Sequence, residues 1–112
     1  ADFLEEKGLC CGVYVAWFLL KALCRAGRET AAYRLITSTD ENSWYNMVRE
    51  GGTTCFEAFG KEQKWNTSLC HPWASGPVSV LIEDILPRHP EYGRIVWEDP
   101  AKMQRKDRTV TV

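Results

Sequence analysis

The sequence predicts a mainly α-helical fold that ends in two β-strands. Apolar residues recur at helical spacing in four segments before Pro87, and glycine, proline or polar clusters separate these segments. After Pro90, two short segments rich in Val, Ile and Thr have the composition of strands. One irregular stretch, residues 51–76, separates the third helical segment from the fourth. This stretch, called the site loop below, contains the candidate functional residues.

Length and composition limit the class of protein. With 112 residues, the chain can form one small domain with its own core. Its 45% hydrophobic and 26% charged residues, with a net charge of -1, argue against a disordered chain and a basic nucleic-acid binder. The longest uncharged apolar run, residues 9–20, is much shorter than the about 20 residues of a membrane-spanning helix. We therefore expect neither a nucleic-acid partner nor a membrane partner.

Residues 9–26 predict the first and most apolar helix, which follows a poorly patterned acidic segment, residues 1–8. Gly27 is placed to cap its C-terminus. Apolar residues cover most of its circumference, and such a helix is buried on more than one side. The chain offers too little other surface to cover it, so we expect the isolated chain to self-associate. The short connection that follows predicts that the second helix, residues 29–37, packs beside the first.

The remaining elements lie on either side of the site loop. Residues 43–49 predict a short third helix that Gly51 and Gly52 end. The last helix begins near Ser75, carries Pro77 in its first turn and continues to residue 86. Strands are predicted at residues 94–97 and 109–112, where they look like the start of a second domain.

The site loop combines irregular backbone with many aromatic side chains. A long polar and aromatic loop between helices is uncommon unless it lines a site. Glu57 lies within it, and aromatic rings can stack on the C–H face of a sugar while a carboxylate transfers protons. The candidate sugar-contacting aromatic residues are Trp73, Trp65, Phe56 and Phe59, and His71 lies among them in the sequence. The alternative for the four aromatic residues is core packing, and for the histidine it is a structural role in the turn before Pro72.

Cysteine content gives little support for a disulfide framework or a metal site. The number of cysteines is odd, and no two have a C-x-x-C spacing. We expect free, buried thiols and no bound metal or cofactor. The five residues are Cys10, Cys11, Cys24, Cys55 and Cys70.

Four motifs occur in a defined order between residues 9 and 86. They are ETAAYRLI at residues 29–36, Ser43-Trp44 with Met47, Gly52-Thr53-Thr54 with Glu57, and SLCHPWASG at residues 68–76. Together they resemble the closing part of the catalytic domain of bacterial α-L-rhamnosidases. The chain departs from that family where Phe56 and Phe59 replace the tryptophans that usually flank the glutamate, and where Cys70 replaces a common asparagine.

The resemblance implies a fold and a division of the chain. The catalytic domain of that family is an (α/α)6 barrel of inner and outer helices, and a β-sandwich follows it. Residues 1–88 would then be the C-terminal helices of the barrel. Residues 89–112 would be a linker and the first strands of the β domain. We accordingly expect the chain to be part of a longer enzyme and inactive alone, with the rest of that enzyme as its partner.

The resemblance also implies an activity. The family hydrolyses terminal α-L-rhamnosides with inversion, using an acid and a base that stand about 6.5–9.5 Å apart. Glu57 would be the general base, His71 would contact sugar hydroxyls, and the general acid would lie in a segment upstream of this chain. Water is the nucleophile, so no cofactor is implied. The alternative from a different class is a non-catalytic helical module that binds carbohydrate or protein.

Overall fold

A computed structural model describes residues 2–86, 88–91 and 94–97. The described chain is mainly helical, as predicted. Two short 3₁₀ turns, Lys61–Gln63 and Pro72–Ser75, lie in the site loop, and a π-helical turn, Leu81–Ile85, continues the last helix. The remaining elements are α1 (Asp2–Lys7), α2 (Val13–Arg25), α3 (Glu29–Ile36), α4 (Trp44–Arg49), α5 (Gly76–Val80), β1 (Arg88–Glu91) and β2 (Arg94–Trp97).

The start of α2 differs from the prediction, and its end agrees with it. The predicted start at residue 9 is wrong: α2 begins at Val13 after Gly12, and Gly8, with a φ of 68°, follows a separate helix, α1, which the sequence pattern did not predict. At the other end, Gly27 has a φ of 73°, its N–H donates to the Cys24 carbonyl, and the Arg28 N–H donates to the Leu23 carbonyl. These two bonds form a Schellman motif, so the predicted glycine cap is confirmed.

The apolar surface of α2 is divided between a buried face and an open one. Within the described residues, part of this surface is left uncovered, which agrees with the expectation that the chain offers too little other surface to cover the helix. Tyr14, Val15 and Phe18 are each about half exposed. Only one face packs, against α3, α5 and the turns beside α5. The buried residues of this face are Val13, Ala16, Leu20, Leu23 and Cys24.

Polar side chains fix the last helix against α2. The Trp17 indole N–H donates to the Ser79 hydroxyl at 2.9 Å. The Lys21 ammonium forms ion pairs with Glu83 at 2.8 Å and Asp84 at 2.7 Å. Both contacts join residues that are far apart in sequence, so they set the position of α5 and of the π-helical turn relative to α2.

The end of the described chain is a two-stranded antiparallel sheet. β1 pairs with β2 so that Arg88 lies opposite Trp97 and Glu91 lies opposite Arg94. β2 covers the residues predicted as a strand, whereas β1 was predicted as part of a connection. The predicted strand at 109–112 lies outside the described residues. Within the described residues, no helix has the length and apolar character needed to cross a membrane.

Candidate functional site

Helix α4 holds the first half of the site loop. Ser43 caps this helix by accepting the Asn46 N–H at 3.1 Å. The Asn46 amide in turn donates to the buried Phe59 carbonyl at 2.9 Å. The Glu50 carboxylate accepts the Lys61 N–H at 2.7 Å, and the Lys61 ammonium donates back to the Glu50 carbonyl at 2.7 Å. Sequence reasoning missed Asn46 and Glu50, because two polar residues in and just after a short helix carry no signal for loop anchoring.

The two sides of the site loop are joined by backbone hydrogen bonds. The His71 N–H donates to the Cys55 carbonyl at 2.8 Å, and the Glu57 N–H donates to the Ser68 carbonyl at 2.8 Å. The Thr54 hydroxyl also donates to the Leu69 carbonyl. This pairing brings Glu57 and His71, which are well separated in sequence, into one small region.

Phe56 and Phe59 take the packing role rather than the sugar-contacting one. Phe56 is 1% exposed and Phe59 is 2% exposed, so neither ring offers a face to a ligand. Phe59 packs edge-on against Trp44, with ring centroids 5.1 Å apart. The two buried rings anchor the chain before and after Glu57.

Glu57 itself points outward and is held by two partners. Its side chain is 28% exposed. One carboxylate oxygen accepts from the Lys64 ammonium, and the other accepts from the Ser68 N–H at 3.1 Å. The Lys64 hydrogen bond is the main reason that the pKa of Glu57 lies below its usual range, and the Ser68 N–H and the charge of His71 act in the same direction. Glu57 is therefore ionised at neutral pH and can accept a proton rather than donate one.

The predicted aromatic residues divide into a connected set and an isolated one. His71 contacts Trp73 edge-on at 5.8 Å, and Trp73 contacts Tyr14 at 5.3 Å. Trp73 is 66% exposed and, with Tyr14 and Trp17, lines an open groove of about 640 Å³. Trp65 is 94% exposed and follows Lys64 on the outer part of the loop. The structure thus connects His71 with Trp73, and Tyr14 is the member of this set that sequence reasoning missed.

The cysteines differ in exposure. Cys24 is buried as predicted, but Cys10 and Cys70 are exposed, so the expectation of burial is wrong for those two. Both lie in non-helical segments at the surface, where the apolar spacing of a helix does not apply. Burial raises the pKa of the half-buried thiols of Cys11 and Cys55. Among the residues that the structure describes, no three His, Cys, Asp or Glu side chains are grouped as a metal site would require.

Comparison with known proteins identifies the family. Residues 4–85 match the model of the bacterial alpha-L-rhamnosidase 6 hairpin glycosidase domain. No curated protein and no solved structure gives a significant match. The match covers most of the chain, includes the whole site loop and agrees with the helical fold. The chain therefore belongs to the bacterial alpha-L-rhamnosidase six-hairpin glycosidase family, whose domains are glycoside hydrolases.

Proposed function

We propose that this chain supplies the general base, Glu57, to a glycosidase that hydrolyses terminal α-L-rhamnosides with inversion. The observation that carries the proposal is the state of Glu57: it is ionised, partly exposed and held at a fixed place in the loop. A general base must be deprotonated and must reach a water molecule beside the sugar. Both requirements agree with the surroundings of Glu57.

The hydrogen bonds of Glu57 leave room for that water. A carboxylate has about four lone-pair sites, and the described partners of Glu57 occupy one on each oxygen. A water bound at a remaining site would lose its proton to Glu57 as it attacks the anomeric carbon. In an inverting enzyme, the general acid on the other side of the bond stands about 6.5–9.5 Å from the base. We assign that acid to another segment of the full-length enzyme. Water is the nucleophile, and the reaction uses no cofactor.

His71 and Trp73 form the proposed sugar-contacting surface. An imidazole can hydrogen-bond to hydroxyl groups, and an exposed indole can stack against the C–H face of a pyranose. Their edge-on contact joins these two functions on one surface. Trp65 is exposed on the same loop and is proposed to contact the substrate beyond the first sugar.

The division of the chain is part of the same proposal. Residues 1–88 form C-terminal helices of an (α/α)6 catalytic barrel, and the half-exposed Val15 and Phe18 on α2 pack against its other helices. Residues 89–112 form a linker and the start of a β-sandwich domain. The antiparallel pairing of β1 with β2 supports a change to β-structure at this point in the chain.

Glu57→Gln in the full-length enzyme tests the role of the base. Glutamine keeps the size of glutamate and cannot take the proton, so kcat should fall by about 10²–10⁴-fold. KM should change little, because the lost interaction belongs to the transition state. Azide should restore turnover in this variant and give a glycosyl azide of inverted configuration. Glu62→Gln is the matched control, because Glu62 lies on the same loop and is exposed.

His71→Ala separates sugar contact from proton transfer. A hydroxyl contact exists in the ground state as well, so this variant should raise KM in addition to lowering kcat. The measurement is steady-state hydrolysis of an aryl α-L-rhamnoside by wild type and the three variants. A near-normal kcat in Glu57→Gln would show that Glu57 is an ordinary surface carboxylate and would refute the proposed function.

A further inference from the structure

We propose that Lys64 is the positioning residue of the catalytic base, holding the carboxylate of Glu57 in its proton-accepting orientation. This inference rests on the proposed function of Glu57. The ammonium of Lys64 donates to one carboxylate oxygen of Glu57 and forms an ion pair with it. No sequence motif indicated this contact, because it is the conformation of the loop that brings the two side chains together.

The geometry around Glu57 fixes the carboxylate at more than one point. Lys64 holds one oxygen, and the Ser68 N–H holds the other at 3.1 Å. The backbone N–H of Glu57 also donates to the Ser68 carbonyl at 2.8 Å. Rotation of the Glu57 carboxylate about its Cγ–Cδ bond would break its hydrogen bond with the Lys64 ammonium or with the Ser68 N–H. Fixed orientation of this kind is what a base needs to meet a water molecule at a defined place.

The backbone of Lys64 is itself held in place. Its carbonyl accepts from the Thr67 hydroxyl at 2.8 Å and from the Thr67 N–H at 3.2 Å. The preceding Gln63 donates to Asn42 at 2.8 Å, outside the loop. Because these bonds restrain the segment, less side-chain and backbone freedom remains to be lost when Lys64 binds Glu57. A lysine on an unrestrained surface segment gains little from such a pair.

Electrostatics distinguishes Lys64 from the other groups that face Glu57. The Lys64 hydrogen bond is the largest cause of the lowered pKa of Glu57, ahead of the Ser68 N–H and the charge of His71. Removal of Lys64 therefore raises the pKa of Glu57 toward its ordinary value. The base would then become protonated at a higher pH, and activity on the acidic side would be lost earlier.

The test is the pH dependence of kcat/KM for an aryl α-L-rhamnoside, measured on the full-length enzyme. In Lys64→Met the acidic limb of the pH profile, where kcat/KM falls as Glu57 is protonated, should move to higher pH. On that limb, kcat/KM should fall tenfold for each unit by which the pKa of Glu57 rises. Lys64→Arg should restore most of the wild-type profile, because a guanidinium is also a charged donor. Lys7→Met makes the same change in net charge on the exposed end of α1 and should leave the limb in place.

The outcomes separate this inference from the proposed function. If Glu57→Gln is strongly impaired and the acidic limb of Lys64→Met does not move, the role of Lys64 alone is refuted. An equal loss of kcat/KM at every pH in Lys64→Met would indicate a merely structural lysine and would also overturn the inference. If Glu57→Gln keeps near-normal kcat, both proposals fail. The inference is supported if the acidic limb moves to higher pH in Lys64→Met and stays near its wild-type position in Lys64→Arg.

Discussion

The anchoring of the site loop to α4 can be tested with Asn46→Ala. The amide of Asn46 donates to the buried carbonyl of Phe59 at 2.9 Å and to the Glu50 carboxylate at 3.1 Å. Alanine removes both bonds and leaves the Phe59 carbonyl without this donor, which costs about 1–3 kcal/mol. Alanine is also the better helix former, which returns about 0.5 kcal/mol. The expected net loss in the free energy of unfolding is about 0.5–2.5 kcal/mol.

Urea unfolding followed by tryptophan fluorescence measures this loss. With an m-value of about 2 kcal/mol per molar, the midpoint should fall by about 0.25–1.25 M while m stays unchanged. Asn42→Ala is the matched control. The Asn42 side chain also contacts the loop, by accepting from Gln63 at 2.8 Å, but it is exposed. We expect its effect to stay within about 0.5 kcal/mol.

A small effect of Asn46→Ala, equal to that of the control, would refute the reasoning. It would mean that the Phe59 carbonyl is satisfied by water as well as by the amide, and that α4 does not anchor the loop. A large effect would have a second consequence. The residues that follow Phe59 should then be cleaved faster by a protease in the variant than in wild type, because the loop has lost a buried attachment.

Three further predictions concern α2 and its neighbours. Gly76→Ala should lower the melting temperature and cost about 1–3 kcal/mol, because a Cβ there would lie 2.7 Å from the Trp17 ring. Gly12→Ala should cost less, because nothing lies within 4 Å of the new Cβ and only the N-cap preference of α2 is lost. Hydrogen bonds to Asp84 and Glu83 raise the pKa of Lys21 in the folded protein, so its ion pairs stabilise the fold at pH values below the unfolded pKa of about 10.4. This contribution is lost as pH rises through the pKa of Lys21 in the folded protein. The difference in unfolding free energy between wild type and Lys21→Met should therefore shrink over that pH range. The isolated chain should sediment as oligomers, and Phe18→Glu should shift it toward the 12.8 kDa monomer; a compact wild-type monomer would contradict this.

Local sequence rules worked where a single residue decides the backbone. Gly27 ends α2 as expected, since its positive φ satisfies the last carbonyls of the helix. The start of α4 was predicted to within one residue: the helix begins at Trp44, and Ser43 is its N-cap, whose hydroxyl accepts the Asn46 N–H. These two helix boundaries needed only neighbouring residues. The assignment of Glu57 as the general base came from the ordered motifs of the family resemblance, and it stays a prediction.

Features that depend on tertiary contacts could not be predicted in this way. The burial of Phe56 and Phe59 depends on partners from α4, such as Met47, whose sulfur accepts the Phe56 N–H at 3.3 Å. Composition alone cannot tell a ring in the core from a ring in a binding site. The contact of Lys64 with Glu57 was invisible for the same reason, because a lysine in a polar run shows no periodicity that would point to a partner.

The outer segment of the site loop also has a practical consequence for protein engineering. Its two ends are attached independently, by the Lys61 N–H on Glu50 at 2.7 Å and by the Ser68 pairing with Glu57. Trp65 lies between them and is 94% exposed. Exposed loop tips with fixed ends are the places where proteins tolerate insertions best. A library of varied lengths and sequences at Trp65 and Asn66, with Gln63, Lys64 and Thr67 retained, should therefore leave the framework that carries Glu57 intact.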